Sequence, residues 1–287
     1  MKKFKTLLAT ALLAIATSTL VYANSAEQQF QQAVTAYNKQ DFRTAFELLK
    51  PLAEQGIAEA QSNLGVMYQH GLGVKQDYQQ AMKWYQKAAE QGIAEAQYNL
   101  GEMYYKGKDV KQDYHQAFKW YQKAAEQGIA QAQAYLGVMY QHGLGVKQDY
   151  HQAVKWYQKA AELGHEGAQS NLGGMYKNGE GVRQDYHQAF KWYQKAAEQG
   201  DVGGQVNLGL MYYNGEGVRQ DYHQAFKWYQ KAAEQGFSLA QFKLGLMYYN
   251  GEGVRQDKAK AKDYFGLACD NGAQIGCDNY RKLNSER

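Results

Sequence analysis

The chain has 287 residues, with 32 Lys+Arg against 28 Asp+Glu, a formal net charge of +4 and one proline, Pro51. Near-balanced charge argues against the strongly basic field that nucleic-acid or anionic-membrane binding uses. A single proline leaves no Pro-rich linker to divide the chain.

In chain order, the first element is a targeting segment. Met1-Lys2-Lys3-Phe4-Lys5 is a positive start, Thr6–Val21 is apolar and small, and Val21-Tyr22-Ala23 places small residues where a signal peptidase cuts. The apolar run falls short of the roughly 20 residues that span a bilayer, so residues 1–23 read as a signal peptide removed after Ala23. Those residues hold three of the 32 basic side chains and none of the acidic ones, so the chain from Asn24 carries a net charge of +1. No nucleic-acid partner and no transmembrane span in the mature chain are expected.

Beyond residue 24 the sequence repeats itself. Trp84, Trp120, Trp156, Trp192 and Trp228 stand 36 residues apart, each within a phrase close to KWYQKAAEQG. A fixed period in the range of roughly 20–50 residues marks an array of supersecondary units, each unable to bury its apolar face alone. Residues 24–57 lack the repeat's Gly-x-Gly loop but keep Ala45, Leu48 and Ala53 in register, and read as an atypical capping hairpin. Residues 58–273 hold six full repeats, and residues 274–287 a capping helix and tail.

Within the repeat at Ala58–Ile93, Ala60, Leu64, Met67 and Tyr68 follow helical spacing, as do Ala81, Tyr85 and Ala88. These define a helix A and a helix B. Gly71-Leu72-Gly73-Val74 permits the positive φ values that turn the chain between them, Asp77 is placed to cap helix B, and Gly92 to end it. The fold class is all-α, a solenoid of αα-hairpins, with the tryptophans expected to pack in helix B.

The recurring LG-x-MY, G-x-GV, D-Y-x-x-A and WYQKAAEQG blocks resemble the Sel-1-like repeat family, a relative of the tetratricopeptide repeats, over nearly all of the chain after residue 23. The resemblance implies a right-handed superhelix and an adaptor or scaffold for protein complexes. Two local departures are Gly107-Lys108-Asp109-Val110, which lacks the second loop glycine, and Tyr264, which stands in the tryptophan position of the last repeat.

Helix B is nearly constant from repeat to repeat, whereas helix A varies at three positions. These are Ser62, Val66 and Gln69; Tyr98, Glu102 and Tyr105; Ala134, Val138 and Gln141; Ser170, Gly174 and Lys177; Val206, Leu210 and Tyr213; and Phe242, Leu246 and Tyr249. Spacing i, i+4, i+7 puts each trio on one helix face, expected to be the concave one. Positions that hold a stack in register must repeat, while a surface matched to a non-repetitive partner is free to differ. The candidate partner-binding residues are therefore Tyr98, Glu102, Tyr105, Gln141, Lys177, Leu210, Tyr213, Phe242, Leu246 and Tyr249, suited to a peptide or protein. The competing reading is packing between repeats, with Val66, Leu210 and Leu246 as core.

His115, His151, His187 and His223 recur one repeat apart. Helices pack about 8–10 Å apart and zinc ligands sit about 2 Å from the metal, so these histidines read as solvated surface, with no metal and no cofactor. Cys269 and Cys277 form an even pair in a chain read as exported, hence a disulfide between two helices. The segment from Ala268 to Cys277 also resembles the cysteine-rich secreted branch of the same family, which implies β-lactam binding or weak β-lactam hydrolysis as an alternative. Against an enzyme, the chain has no Ser-x-x-Lys, no Lys-Thr-Gly and no His-Glu-x-x-His, so neither an activated serine nor a complete zinc set is supplied. The expectation is a non-enzymatic scaffold in the periplasm or outside the cell.

Overall fold

The computed structural model describes residues 25–107 and 110–285. The proposed signal segment and the Lys108-Asp109 step of the irregular loop lie outside them. The described residues form helices and connecting turns, with no strand among them.

The chain divides into two compact units, with the boundary along the sequence between Ile129 and Ala130. The first contains α1 (25–38), α2 (Phe42–Glu54), α3 (Ala58–His70), α4 (Tyr78–Glu90), α5 (Ala94–Lys106) and α6 (Tyr114–Glu126). In the second are α7 (Ala130–His142), α8 (Tyr150–Glu162), α9 (Glu166–Asn178), α10 (Tyr186–Glu198), α11 (Val202–Asn214), α12 (Tyr222–Glu234), α13 (Ser238–Asn250), α14 (Lys258–Asp270) and α15 (Gln274–Ser285). Helices A of the repeats are α3, α5, α7, α9, α11 and α13, and each is followed by its helix B.

Local chemistry explains the boundaries. Asp77, Asp113, Asp149, Asp185, Asp221 and Asp257 each cap a helix B, the side chain accepting a backbone N–H that the helix itself leaves unpaired. Helix A ends where a glycine takes the left-handed conformation, as at Gly215 with φ 76°.

The hairpin closes on one small-to-large contact. Gly137 of α7 faces the ring of Tyr157 in α8, and a Cβ built on Gly137 would stand 2.5 Å from ring carbons Cδ1 and Cε1. The same pairing recurs at Gly65/Tyr85, Gly101/Tyr121, Gly173/Tyr193, Gly209/Tyr229 and Gly245/Phe265. A second glycine sets the spacing between repeats. Gly217, with φ 69°, lies so close to the carbonyl of Tyr186 in the preceding repeat that no Cβ fits.

The tryptophans correct the sequence expectation in part. Trp84 and Trp120 are buried, but Trp156, Trp192 and Trp228 are only half-buried. Each carries a lysine over its ring, such as Lys159 Nζ at 4.2 Å from the Trp156 centroid. The fully buried ring of helix B is the next residue, Tyr157, which faces Gly137 across the hairpin, whereas Trp156, one residue earlier, points to a different side of the helix.

At the C-terminal end, α15 packs on α14, and the Cys269–Cys277 disulfide joins them. Closing so short a loop contributes roughly 2–3 kcal/mol in the chain-entropy model.

Denaturant unfolding checks this core. Tyr157→Ala is expected to cost about 3–5 kcal/mol, and Gly137→Val about 1–3 kcal/mol by overpacking. Trp156→Ala should cost clearly less than Tyr157→Ala, since its ring is already partly in water. Equal losses at Trp156 and Tyr157 would contradict the assignment.

Candidate functional site

The variable trios lie on helix A as the spacing requires, but their three positions differ in exposure. The first is largely buried: Ser62, Ala134, Val206 and Phe242 are each below a tenth exposed. Phe242 packs on Phe265 with centroids 5.7 Å apart, and Tyr98, half-buried, leans on Tyr121 at 5.8 Å. Phe242 therefore supports the strip from beneath and offers little area of its own.

Middle and third positions reach the surface. Glu102, Leu210 and Leu246 are half-exposed, as are Tyr105, Gln141, Lys177, Tyr213 and Tyr249. The third position has a defined chemistry. In two repeats it is a glutamine that accepts from the buried core tyrosine, Tyr85 Oη to Gln69 Oε1 at 2.6 Å and Tyr157 Oη to Gln141 Oε1 at 2.7 Å.

Elsewhere that position holds a larger or charged group. Tyr105 packs edge-on against Tyr114 at 5.4 Å, and Tyr213 against Tyr222 at 5.1 Å. Tyr213 Oη also donates to Glu252 Oε2 of the next repeat at 2.8 Å. Desolvation, then that hydrogen bond and the carboxylate's charge, push the Tyr213 phenol up to about 12. It stays neutral and able to donate at any physiological pH. Lys177 lies 3.7 Å from Glu216 Oε2, and the ring of Tyr249 has Lys258 Nζ 5.5 Å from its centroid. Glu102 pairs with Lys106 at 2.7 Å and lines a cleft of about 240 Å³ with Gln69, His70, Tyr78 and Met103.

Two elements of the site escaped the sequence reading. One is the loop acid of the Gly-Glu-Gly turns, since Glu216 and Glu252 fold back to the third-position side chains of the preceding repeat. The other is an amide ladder. Gln61, Gln97, Gln169, Gln205 and Gln241 are buried on helix A and donate to a carbonyl late in the preceding helix, as Gln61 Nε2 does to Ala53 O at 3.0 Å. The residue ending helix B then donates to the same glutamine: Gln91 to Gln61 at 2.8 Å, Gln199 to Gln169 at 2.7 Å and Asn271 to Gln241 at 3.0 Å. At the third full repeat Leu163 occupies this place and has no amide to give. The signal was available, because Gln61 recurs in all six full repeats at a position that faces the core.

His115, His151, His187 and His223 are all exposed, and His187 and His223 line open clefts of about 560 and 570 Å³ along the turns. No group of His, Cys, Asp or Glu among the described residues is placed to hold a metal ion. No helix among them is long and apolar enough to cross a membrane.

The repeat carries a recognisable family signature. The Sel1 repeat model matches residues 39–57, 58–93, 94–129, 130–165, 167–201, 203–237 and 238–272. The chain belongs to the Sel1 repeat family. Its similarity extends to a protective antigen present in uropathogenic Escherichia coli strains displaying an SLR fold, at 38% identity and TM-score 0.84 over 93% of this chain. The match spans 58% of the antigen's length. A Sel1 repeat protein from Oxalobacter formigenes is 34% identical with TM-score 0.77, over 84% of this chain and 96% of that one. No curated protein matches the chain. Sel1 repeats mediate protein–protein interaction.

The amide ladder has a direct test in unfolding midpoints. Gln199→Leu removes the donor to the buried carbonyl of Gln169 and should cost about 1–3 kcal/mol. An unchanged midpoint would show that the ladder carries no stability.

Proposed function

We propose that the chain is an exported, non-enzymatic scaffold of the periplasm or cell exterior that captures a protein or peptide along the helix A face. The observation that carries this reading is the contrast between the two helices. Helix B repeats almost unchanged through the first five full repeats, while the half-exposed pair on helix A takes four different forms along the chain, Val/Gln, Glu/Tyr, Gly/Lys and Leu/Tyr.

Side chains such as Tyr213 and Tyr249 suit recognition, because aromatic residues supply large contact area at low entropic cost. Leu210 and Leu246 add apolar area between them, and Glu102, Gln141 and Lys177 give their own repeats different polar groups. Phe242 supports the strip from beneath, and the half-buried Tyr98 and Tyr105 present its aromatic edges. Export is supported by the Cys269–Cys277 bridge, which suits an oxidising compartment. The segment 1–23 is then removed, and the mature chain starts at Asn24. Residues 24–57 and 274–287 close the two ends of the array of repeats, as terminal units of a solenoid must.

A partner cross-linked to the native protein in its envelope fraction provides the test. Tyr213→Ala combined with Tyr249→Ala should weaken its binding by about 2 kcal/mol or more, roughly 30-fold, with the fold intact. His187→Ala, on the exposed side of helix B, should leave it unchanged. Unaltered affinity in the tyrosine double variant would overturn the proposal. A mature mass beginning at Met1, or protein-dependent hydrolysis of a chromogenic β-lactam, would overturn the export or non-enzyme part respectively.

A further inference from the structure

One place on the helix A face departs from its equivalents. The middle position of the trio is Val66, Glu102, Val138, Leu210 or Leu246 in five repeats and Gly174 in α9. A side chain there would cover the core tyrosine of its own hairpin, since a Cβ built on Gly174 lies 3.5 Å from Tyr193 Oη. Without it Tyr193 is 3% exposed, whereas Tyr85, Tyr121, Tyr157 and Tyr229 are at 0%. The missing side chain leaves a notch with a phenol at its floor.

The groups around the notch have unspent hydrogen-bonding capacity. Tyr85 and Tyr157 donate to a third-position glutamine, but α9 offers Lys177 there, an ammonium with no acceptor for the phenol. Glu216 Oε1 accepts from Asn214 at 3.0 Å, while its Oε2 is buried with no hydrogen bond and lies 3.7 Å from Lys177 Nζ. Glu216 is also near enough that, after desolvation, its charge helps raise the Tyr193 phenol. The notch thus offers two kinds of donor, the Tyr193 hydroxyl and the Lys177 ammonium, and one buried acceptor.

Each simple ligand class can be weighed against that set. A carboxylate would meet Glu216, an ammonium would meet Lys177, and an apolar group would leave all three polar groups desolvated without partners. A carboxamide presents an acceptor and two donors on one planar group. We propose that the Gly174 notch is an anchor subsite for an asparagine or glutamine side chain of a bound peptide. Its carbonyl accepts from Tyr193 Oη and Lys177 Nζ, and its NH2 donates to Glu216 Oε2. This rests on the helix A face being the recognition surface and names one residue class it selects.

The test uses the isotope-labelled mature chain and four blocked amino acids, the N-acetyl methylamides of Asn, Asp, Lys and Leu, followed by amide chemical shifts. The Asn probe should shift Gly174, Lys177 and Glu216 saturably, with an apparent Kd about tenfold below the other three, the effect of one net hydrogen bond. Gly174→Val should abolish that response while the fold survives, because valine occupies this position in two other repeats. No saturable response to the Asn probe, or an equal or tighter one to Asp, Lys or Leu, would overturn the subsite. If it fails while the Tyr213/Tyr249 double variant still loses its partner, the subsite alone is wrong. If that variant keeps its partner, the broader reading is wrong instead.

Discussion

The contact on which the rest depends is the helical glycine beneath an aromatic ring. With no Cβ at Gly137, α7 and α8 approach until the Tyr157 ring fills the space between them. Glycine in a helix interior costs about 1 kcal/mol relative to alanine, so its recurrence in every full repeat needs a compensating gain. Burial of a whole aromatic side chain, worth roughly 2–3 kcal/mol, supplies it. The ring then points its hydroxyl toward the helix A surface, where the third trio position meets it. In the repeats of Tyr85 and Tyr157 the core and the variable strip are coupled through one phenol, so a change at Gln69 or Gln141 alters what that tyrosine can donate to.

A second layer of order runs from repeat to repeat. Loop glycines such as Gly181, Gly217 and Gly253 let their turns sit against the preceding repeat, and the glutamine ladder ties the end of one helix B to the start of the neighbouring helix A. These are directional contacts. Apolar packing alone tolerates sliding, whereas a buried amide that must find a carbonyl penalises any slip by leaving a polar group unpaired. Leu163 shows that a single rung can be lost while the helices keep their places.

Much of this was legible in the sequence because the repeats amplify it. Six near-copies gave the helix boundaries, the aspartate caps and the left-handed glycines, each forced by local backbone chemistry. Which of two adjacent rings is core was not legible: Trp156 and Tyr157 recur with equal fidelity, and only the geometry above Gly137 decides for the tyrosine. Exposure within the trios was also hidden. Spacing places Phe242, Leu246 and Tyr249 on one face, but whether a residue on that face is covered depends on the neighbouring helix, and Phe265 covers Phe242. The link from Tyr213 to Glu252 spans 39 residues and depends on a turn folding back, which periodicity does not encode.

The central claim is that helix A recognises and helix B spaces. Site-specific photo-crosslinking in the native envelope tests it most directly, with p-benzoylphenylalanine placed at Leu246 on helix A and, separately, at the exposed Lys227 on helix B. The account predicts a discrete cross-linked partner from position 246 and none from position 227. Equal yields from both, or a partner trapped only from position 227, would contradict it.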